Sequence, residues 1–166
     1  YGTSANRARG RFHLAPIAAK LPAGIYRFAS GLNDAEAEHE ALGWLLSGYA
    51  FDRYADVPAP QARLVAPEKP NAKQIEDIAA GECLTRDLIN TPASDMGPAD
   101  LEAACRHLAK VHGAKIDVIT GKALIDQNFP MIHAVGRAAA QDPRLVDMRW
   151  GTSGPKLTLV GKGVCF

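Results

Sequence analysis

Several of the usual chemical markers are missing or scarce in this 166-residue sequence, and each absence removes a class of function. Cysteine is rare. Cys83, Cys105 and Cys165 are odd in number and widely spaced, and no C-x-x-C pair occurs. Neither a disulfide framework nor a zinc knuckle is indicated, and a reducing cytoplasm is the expected compartment. No charge of one sign dominates: Lys plus Arg number 19 and Asp plus Glu 18. That balance gives no general attraction to nucleic acid or to acidic membranes. No apolar run approaches the ~20 residues of a membrane helix, and no signal-peptide pattern stands near the start. A phosphate loop of the form G-x-x-x-x-G-K-[ST] is absent, because Lys162 is followed by Gly163. There is no G-x-S-x-G elbow, which argues against a serine hydrolase of that fold. No internal repeat or low-complexity tract is visible.

What is present is ordinary globular material. Apolar residues make up 47% and charged residues 22%, enough for a core in one domain or in parts of two. The chain opens at Tyr1 and closes shortly after an apolar run, and a piece of a longer polypeptide is the expectation. Such a piece should expose apolar surface and tend to associate.

Residues 1–20 read as irregular. Gly24–Ala29 alternates and favours a strand. Asn33 or Asp34 is placed to cap a helix, whose apolar face reads as Ala41, Leu42, Leu45, Leu46 and Tyr49. Glu36, Glu38 and Glu40 fall early in it, where the helix dipole favours anions. Residues 56–70 carry Pro58, Pro60, Pro67 and Pro70 and read as a linker, with a short strand at Arg63–Ala66. Asn71 is placed to cap a long helix running to about Ile89, with Ile75, Ile78, Ala79, Cys83, Leu84 and Leu88 as its apolar stripe. Asn90-Thr91-Pro92 ends it, because the residue before a proline is driven out of helical backbone.

Pro98 suits the first turn of another helix, buried through Leu101, Ala104, Cys105, Leu108 and Val111 and closed by Gly113. Lys115–Ile119 reads as a strand and Lys122–Gln127 as a short helix. Leu145–Trp150 and Leu157–Val160 read as two further strands joined by the turn residues Gly151–Pro155. This succession implies an α/β layered fold.

The apolar run 157–160 leads into Gly161-Lys162-Gly163. A lysine between glycines beyond a strand is placed where α/β sheets bind ligands, and the glycines would let a ligand approach the backbone. The same three residues also fit a plain turn carrying a solvated lysine.

Wider context bears on that choice. Residues Arg86 to Pro98 (R-D-L-I-N-T-P-A-S-D-M-G-P) resemble the interdomain segment R-x-L-x-N-x-P-x-x-x-x-x-P of leucyl (cytosol) aminopeptidases. Ala134-Val135-Gly136 followed by Pro143-Arg144-Leu145 resembles that family's A-V-G…P-R-L stretch. Val160 to Phe166 matches the opening of its signature V-G-K-G-[IV]-x-F-D-[ST]-G-G. Leu21–Arg27 and Gly48–Tyr54 resemble the end of its N-terminal domain. The five segments occur in the family's order across nearly the whole chain.

The resemblance implies an organisation. Residues 1–57 would end an N-terminal α/β domain, 58–92 would be linker and connecting helix, and 93–166 would begin an α/β metallopeptidase catalytic domain. It implies an enzyme that releases N-terminal residues, leucine-like, from peptides, often as a hexamer, by water activated on two divalent ions (zinc, manganese or magnesium). Of the family's metal ligands only Lys162 maps onto this chain. The aspartate that follows the signature's phenylalanine, the later Asp and Glu ligands, the second active-site lysine and the anion-binding arginine have no counterpart here. The chain alone is therefore expected neither to hold two metals nor to catalyse. An ammonium has no lone pair, so Lys162 must shed its proton to coordinate, and adjacent divalent cations would drive that loss by like-charge repulsion. The alternative reading is a non-catalytic α/β binding or oligomerisation module. The expected partners are peptides, the remainder of the catalytic domain and further copies of the chain. A membrane is not expected, and nucleic acid is not favoured.

Other candidates are weaker. His107 and His112 are five apart, about 140° around a helix, and do not face one ligand. His39 lies among glutamates and reads as surface, while His13 and His133 lack ligand partners nearby. Cys83 and Cys105 fall on apolar helix faces and read as packing residues; Cys165 reads the same way beside the candidate loop. Arg7, Arg9 and Arg11 form a small basic cluster without the interleaved aromatics of a nucleic-acid platform, so a solvated loop is expected.

Overall fold

The computed structural model describes residues 3–7, 10–58, 60–69 and 71–165. Arg9, the Arg7 side chain and Phe166 lie outside the described residues. The chain has the expected mixed α/β character and divides into two compact units, Tyr1–Asn90 and Thr91–Phe166. No helix among the described residues is long and apolar enough to cross a membrane.

The first unit contains, in order, α1 (Ser4–Arg7), α2 (Ala15–Ala18), β1 (Gly24–Tyr26), α3 (Asp34–Ser47), β2 (Ala62–Leu64) and α4 (Ala72–Asn90). Strands β1 and β2 are parallel neighbours, with Gly24 opposite Ala62 and Tyr26 opposite Leu64. A parallel pair needs a crossover, and α3 lies on it. Both strands are shorter than the alternation suggested. The ladder covers three residues of the expected 24–29 and begins at Ala62, one residue before the expected 63–66. Residues 1–20 are not wholly irregular either, since they contain α1 and α2.

Helix α3 begins as its sequence indicates. Asn33 Oδ1 accepts from the Glu36 amide at 2.9 Å, and the Glu36 carboxylate accepts from the Asn33 amide at 3.1 Å, a reciprocal cap. Its buried face differs from the expected one. Ala37, Glu40, Ala41, Gly43 and Trp44 are buried, whereas Leu45 is 39% exposed. The reason lies in the segment before α2, which docks on α3 through a carboxylate and a glycine rather than through large aliphatics. Glu40, only 3% exposed, accepts the backbone amides of His13 at 3.1 Å and Leu14 at 2.8 Å. Leu14 precedes the first turn of α2, where amides lack helical partners. Glu40 is thus a buried cap for a second helix, not a solvated dipole partner of its own. Phe12, held at φ 57°, lies so close to Gly43 that a Cβ there would fall 2.6 Å from the phenylalanine side chain. Beside this contact, Ala18, Trp44 and Ala62 form the core, joined by Leu21, Tyr26 and Leu64.

Helix α4 follows its sequence pattern. Asn71 Oδ1 accepts from the Gln74 amide at 3.3 Å. Ile75 and Ala79 are buried, although Ile78, read as part of the stripe, is 46% exposed. Near its end, the Tyr49 hydroxyl donates to Asp87 Oδ1 at 2.9 Å and accepts from Asn90 Nδ2 at 3.0 Å. The Arg86 guanidinium lies 5.3 Å from the Tyr49 ring centre. Desolvation raises the Tyr49 phenol above its ordinary pKa, so it is a neutral donor at pH 7.

The second unit contains a 3₁₀ turn (Ala93–Asp95), α5 (Pro98–His112), β3 (Lys115–Thr120), α6 (Ala123–Asp126), α7 (Pro130–Gly136) and β4 (Arg144–Arg149). β3 and β4 are antiparallel, from Lys115 opposite Arg149 to Thr120 opposite Arg144. Helix α5 closes at Gly113, whose φ of 65° is the left-handed cap its sequence indicated. At its start, Gly97 has no side chain to cap with, and Gln141 Oε1 takes the Ala99 amide at 2.7 Å instead. Glu102 on α5 binds Arg106 at 2.7 Å and Arg144 of β4 at 2.5 Å. Helix α7 was not anticipated. Gly136, its last residue, lies against Pro143, and a Cβ there would sit 2.4 Å from the proline ring.

One expected strand does not form. Leu157–Val160 pairs with no strand among the described residues. Leu157, Leu159 and Val160 are 84%, 86% and 93% exposed. A strand is defined by a neighbour, and β3 and β4 pair only with each other in this sheet.

Two stability predictions follow from these contacts. Gly136→Ala should destabilise the chain by about 1–3 kcal/mol through overpacking against Pro143. Gly81→Ala, where a Cβ meets nothing within 4 Å, should stabilise it by about 0.5–1 kcal/mol; urea denaturation of both variants reads the two signs. The second concerns pH. The hydrogen bond from Arg106, together with that from Arg144, lowers the Glu102 carboxyl below its ordinary range. A carboxyl depressed in the folded state stabilises above its unfolded pKa, and the contribution is lost as pH falls through the folded value. Glu102→Gln should therefore lower the denaturation midpoint at pH 7, and the gap to wild type should close on acidification.

Candidate functional site

Lys162 lies in the irregular segment after β4, with Gly161 and Gly163 on either side. A Cβ at either glycine would meet nothing within 4 Å. Neither glycine is required by local packing, so the space beside the lysine is open to an approaching group. Lys162 is exposed. Among the described residues it has no hydrogen-bond or ion-pair partner, and no group of three or more His, Cys, Asp or Glu is placed to hold a metal ion. Divalent ions are held by several oxygen, imidazole or thiolate donors. One amine is not such a set, so the described residues alone do not fit a two-metal centre.

The other candidates do not converge. His107 and His112 are both exposed on α5. His39 is exposed, with its ring Nδ1 2.7 Å from the Ala35 carbonyl oxygen. His13 and His133 are half-buried. All three cysteines are free and half-buried. Burial, with the Glu102 charge adding to it, raises the Cys105 thiol, the opposite of an activated nucleophile. A cleft of about 540 Å³ lies at the carboxyl ends of β1 and β2, lined in part by Arg27, Ser30, Asp34, Glu68 and Lys69. Its Lys69–Asp34 pair, at 3.4 Å, is exposed, and the opposite charges along its wall offset each other.

The structure does bring together segments that are far apart in sequence. Tyr49 meets Arg86, Asp87 and Asn90. Gly136 meets Pro143, and Arg144 meets Glu102. Sequence reasoning quoted most of these residues but did not see that they touch. Glu40, read from sequence only as an anion early in its own helix, and Gln141, which the sequence did not single out, act through backbone amides, which side-chain patterns do not reveal.

Residues 83–166 match the model described as the cytosol aminopeptidase family, catalytic domain. Residues 3–67 match the M17 aminopeptidase N-terminal domain. The chain belongs to the M17 cytosol aminopeptidase family. A probable cytosol aminopeptidase of Streptomyces avermitilis is 35% identical over 92% of this chain and 34% of its own length. The crystal structure of a cytosol aminopeptidase from Coxiella burnetii superposes with a TM-score of 0.77 at 35% identity, covering 86% of this chain and 31% of that one. The bottromycin maturation enzyme BotP in complex with Mn is similar with a TM-score of 0.63 at 30% identity, over 75% of this chain and 29% of that one. The chain thus spans about a third of the length of the curated M17 relatives it matches (34% in two of them). Lys162 falls inside the segment matched to the catalytic domain, and Tyr49 inside the N-terminal one.

Proposed function

We propose that this chain is part of a two-metal M17 aminopeptidase that releases N-terminal, leucine-like residues from peptides by metal-activated water, and that Lys162 is one of its metal ligands. The observation that carries the reading is the match of the chain to both the N-terminal and the catalytic domain of the family. It is supported by the placement of Lys162, an unpartnered lysine between two glycines whose missing side chains relieve no local clash. The Mn complex of a similar enzyme supports a divalent ion as the family's reagent.

Ligation by Lys162 is the whole of the proposed chemical contribution. The remaining donors belong to sequence outside this chain, which covers about a third of its relatives. An exposed ammonium is strongly hydrated and is a poor starting point for coordination. Binding must therefore release its proton, which makes metal affinity depend on pH. Residues 58–92 act in this reading as the connection between the N-terminal domain (1–57) and the start of the catalytic domain (93–166). Peptide substrates, the remainder of the catalytic domain and assembly into a hexamer belong to the same proposal.

In the full-length protein, Lys162→Ala should lower kcat/KM for leucine amide by at least about 100-fold, the upper range for losing a residue that merely supports a ligand. Lys162→Arg should fail to rescue, because a guanidinium keeps its proton. A Lys162→Ala enzyme with normal activity and normal metal content would overturn the ligand assignment.

A further inference from the structure

The last turn of α4 is a poor helix by its own chemistry. Asp87 places a carboxylate at the negative end of the helix dipole, and no basic residue in the last turn offsets it in the usual way. Ile89 is β-branched and 76% exposed, so burial does little to hold it. Asn90 is a weak helix former, and Pro92 drives Thr91 out of helical backbone. No glycine supplies a left-handed cap at Asn90 or Thr91. Left to itself, this turn should fray back toward Leu88.

Besides the burial of Thr91, a contact set around Tyr49 opposes the fraying. The Tyr49 hydroxyl, just beyond the end of α3, donates to Asp87 and accepts from the Asn90 side-chain amide. Its ring lies under the Arg86 guanidinium. The phenol thus offsets the misplaced carboxylate, ties down the final residue of the helix and gives the neighbouring cation an aromatic face.

We propose that Tyr49 is a conformational stop, a clamp on Asp87 and Asn90 that keeps α4 helical to its last residue. The clamp lies wholly within the first unit and does not depend on the peptidase reading. Tyr49 is a positioning residue, and its loss should act locally. A bond that only added general stability would act on the whole unit.

Amide hydrogen exchange of the 166-residue chain separates the two. Tyr49→Phe keeps the ring under Arg86 and removes both hydroxyl contacts. It should raise exchange of the amides of residues 87–90 about tenfold, the order expected for losing two hydrogen bonds at a fraying end, with residues 75–84 unchanged. Asn90→Ser, close to asparagine in helix propensity and leaving the Tyr49–Asp87 bond intact, should give a smaller rise at the same amides. If Tyr49→Phe disturbs folding, the Asn90→Ser profile alone makes the distinction. A uniform rise through α3 and α4, or no change at residues 87–90, would overturn the proposal.

Discussion

A lysine nitrogen coordinates a divalent cation only as a neutral amine. It becomes one at neutral pH only where other positive charge and other donors already surround it. That constraint governs how the chain relates to its family. Lys162 stands exposed, between glycines that have no local packing role. Among the described residues nothing gathers around it that could hold a metal. In the proposed reading its chemistry would need donors that this chain, about a third as long as its M17 relatives, does not carry.

The two units are each held by a few specific polar contacts on small cores. In the first unit, a buried glutamate caps a neighbouring helix and a tyrosine hydroxyl clamps the end of the longest helix. In the second, Gln141 completes the start of α5, and Glu102 ties α5 to β4 through Arg144. A two-stranded sheet is marginal by itself. Here Arg144 and the close fit of Gly136 on Pro143 fix the position of β4. The cost of disturbing these contacts is large relative to the few kcal/mol that separate folded from unfolded chains.

Features that depend on local chemistry were legible in the sequence. Asn33, Asn71 and Gly113 cap the helices they were expected to cap, because capping follows from one side chain and a few neighbouring amides. Features that depend on a distant partner were not legible. Glu40 looks like one more surface glutamate in an acidic helix, and only the approach of residues 13 and 14 makes it a buried cap. Leu45 looks like core, but the surface that docks on α3 meets Gly43 and Trp44 instead. The run 157–160 has the composition of a strand and no partner in the described chain. The family motifs were legible as letters, while their physical content, such as Gly136 leaving room for Pro143, needed the fold. Lys162 stood out in the sequence through the family signature, and its role as a ligand is a proposal that rests on that resemblance. Its flanking glycines leave open space beside it, which suits a ligand's approach and equally suits a turn.

The central claim is that the Lys162 nitrogen binds a metal. The most direct measurement is pulsed electron paramagnetic resonance of the full-length, manganese-loaded protein carrying ¹⁵N-labelled lysine. A ¹⁵N coupling to Mn(II) that is present in the wild type and absent in Lys162→Ala is the predicted result. A manganese-loaded protein showing no lysine ¹⁵N coupling, or keeping it unchanged in Lys162→Ala, would contradict the account.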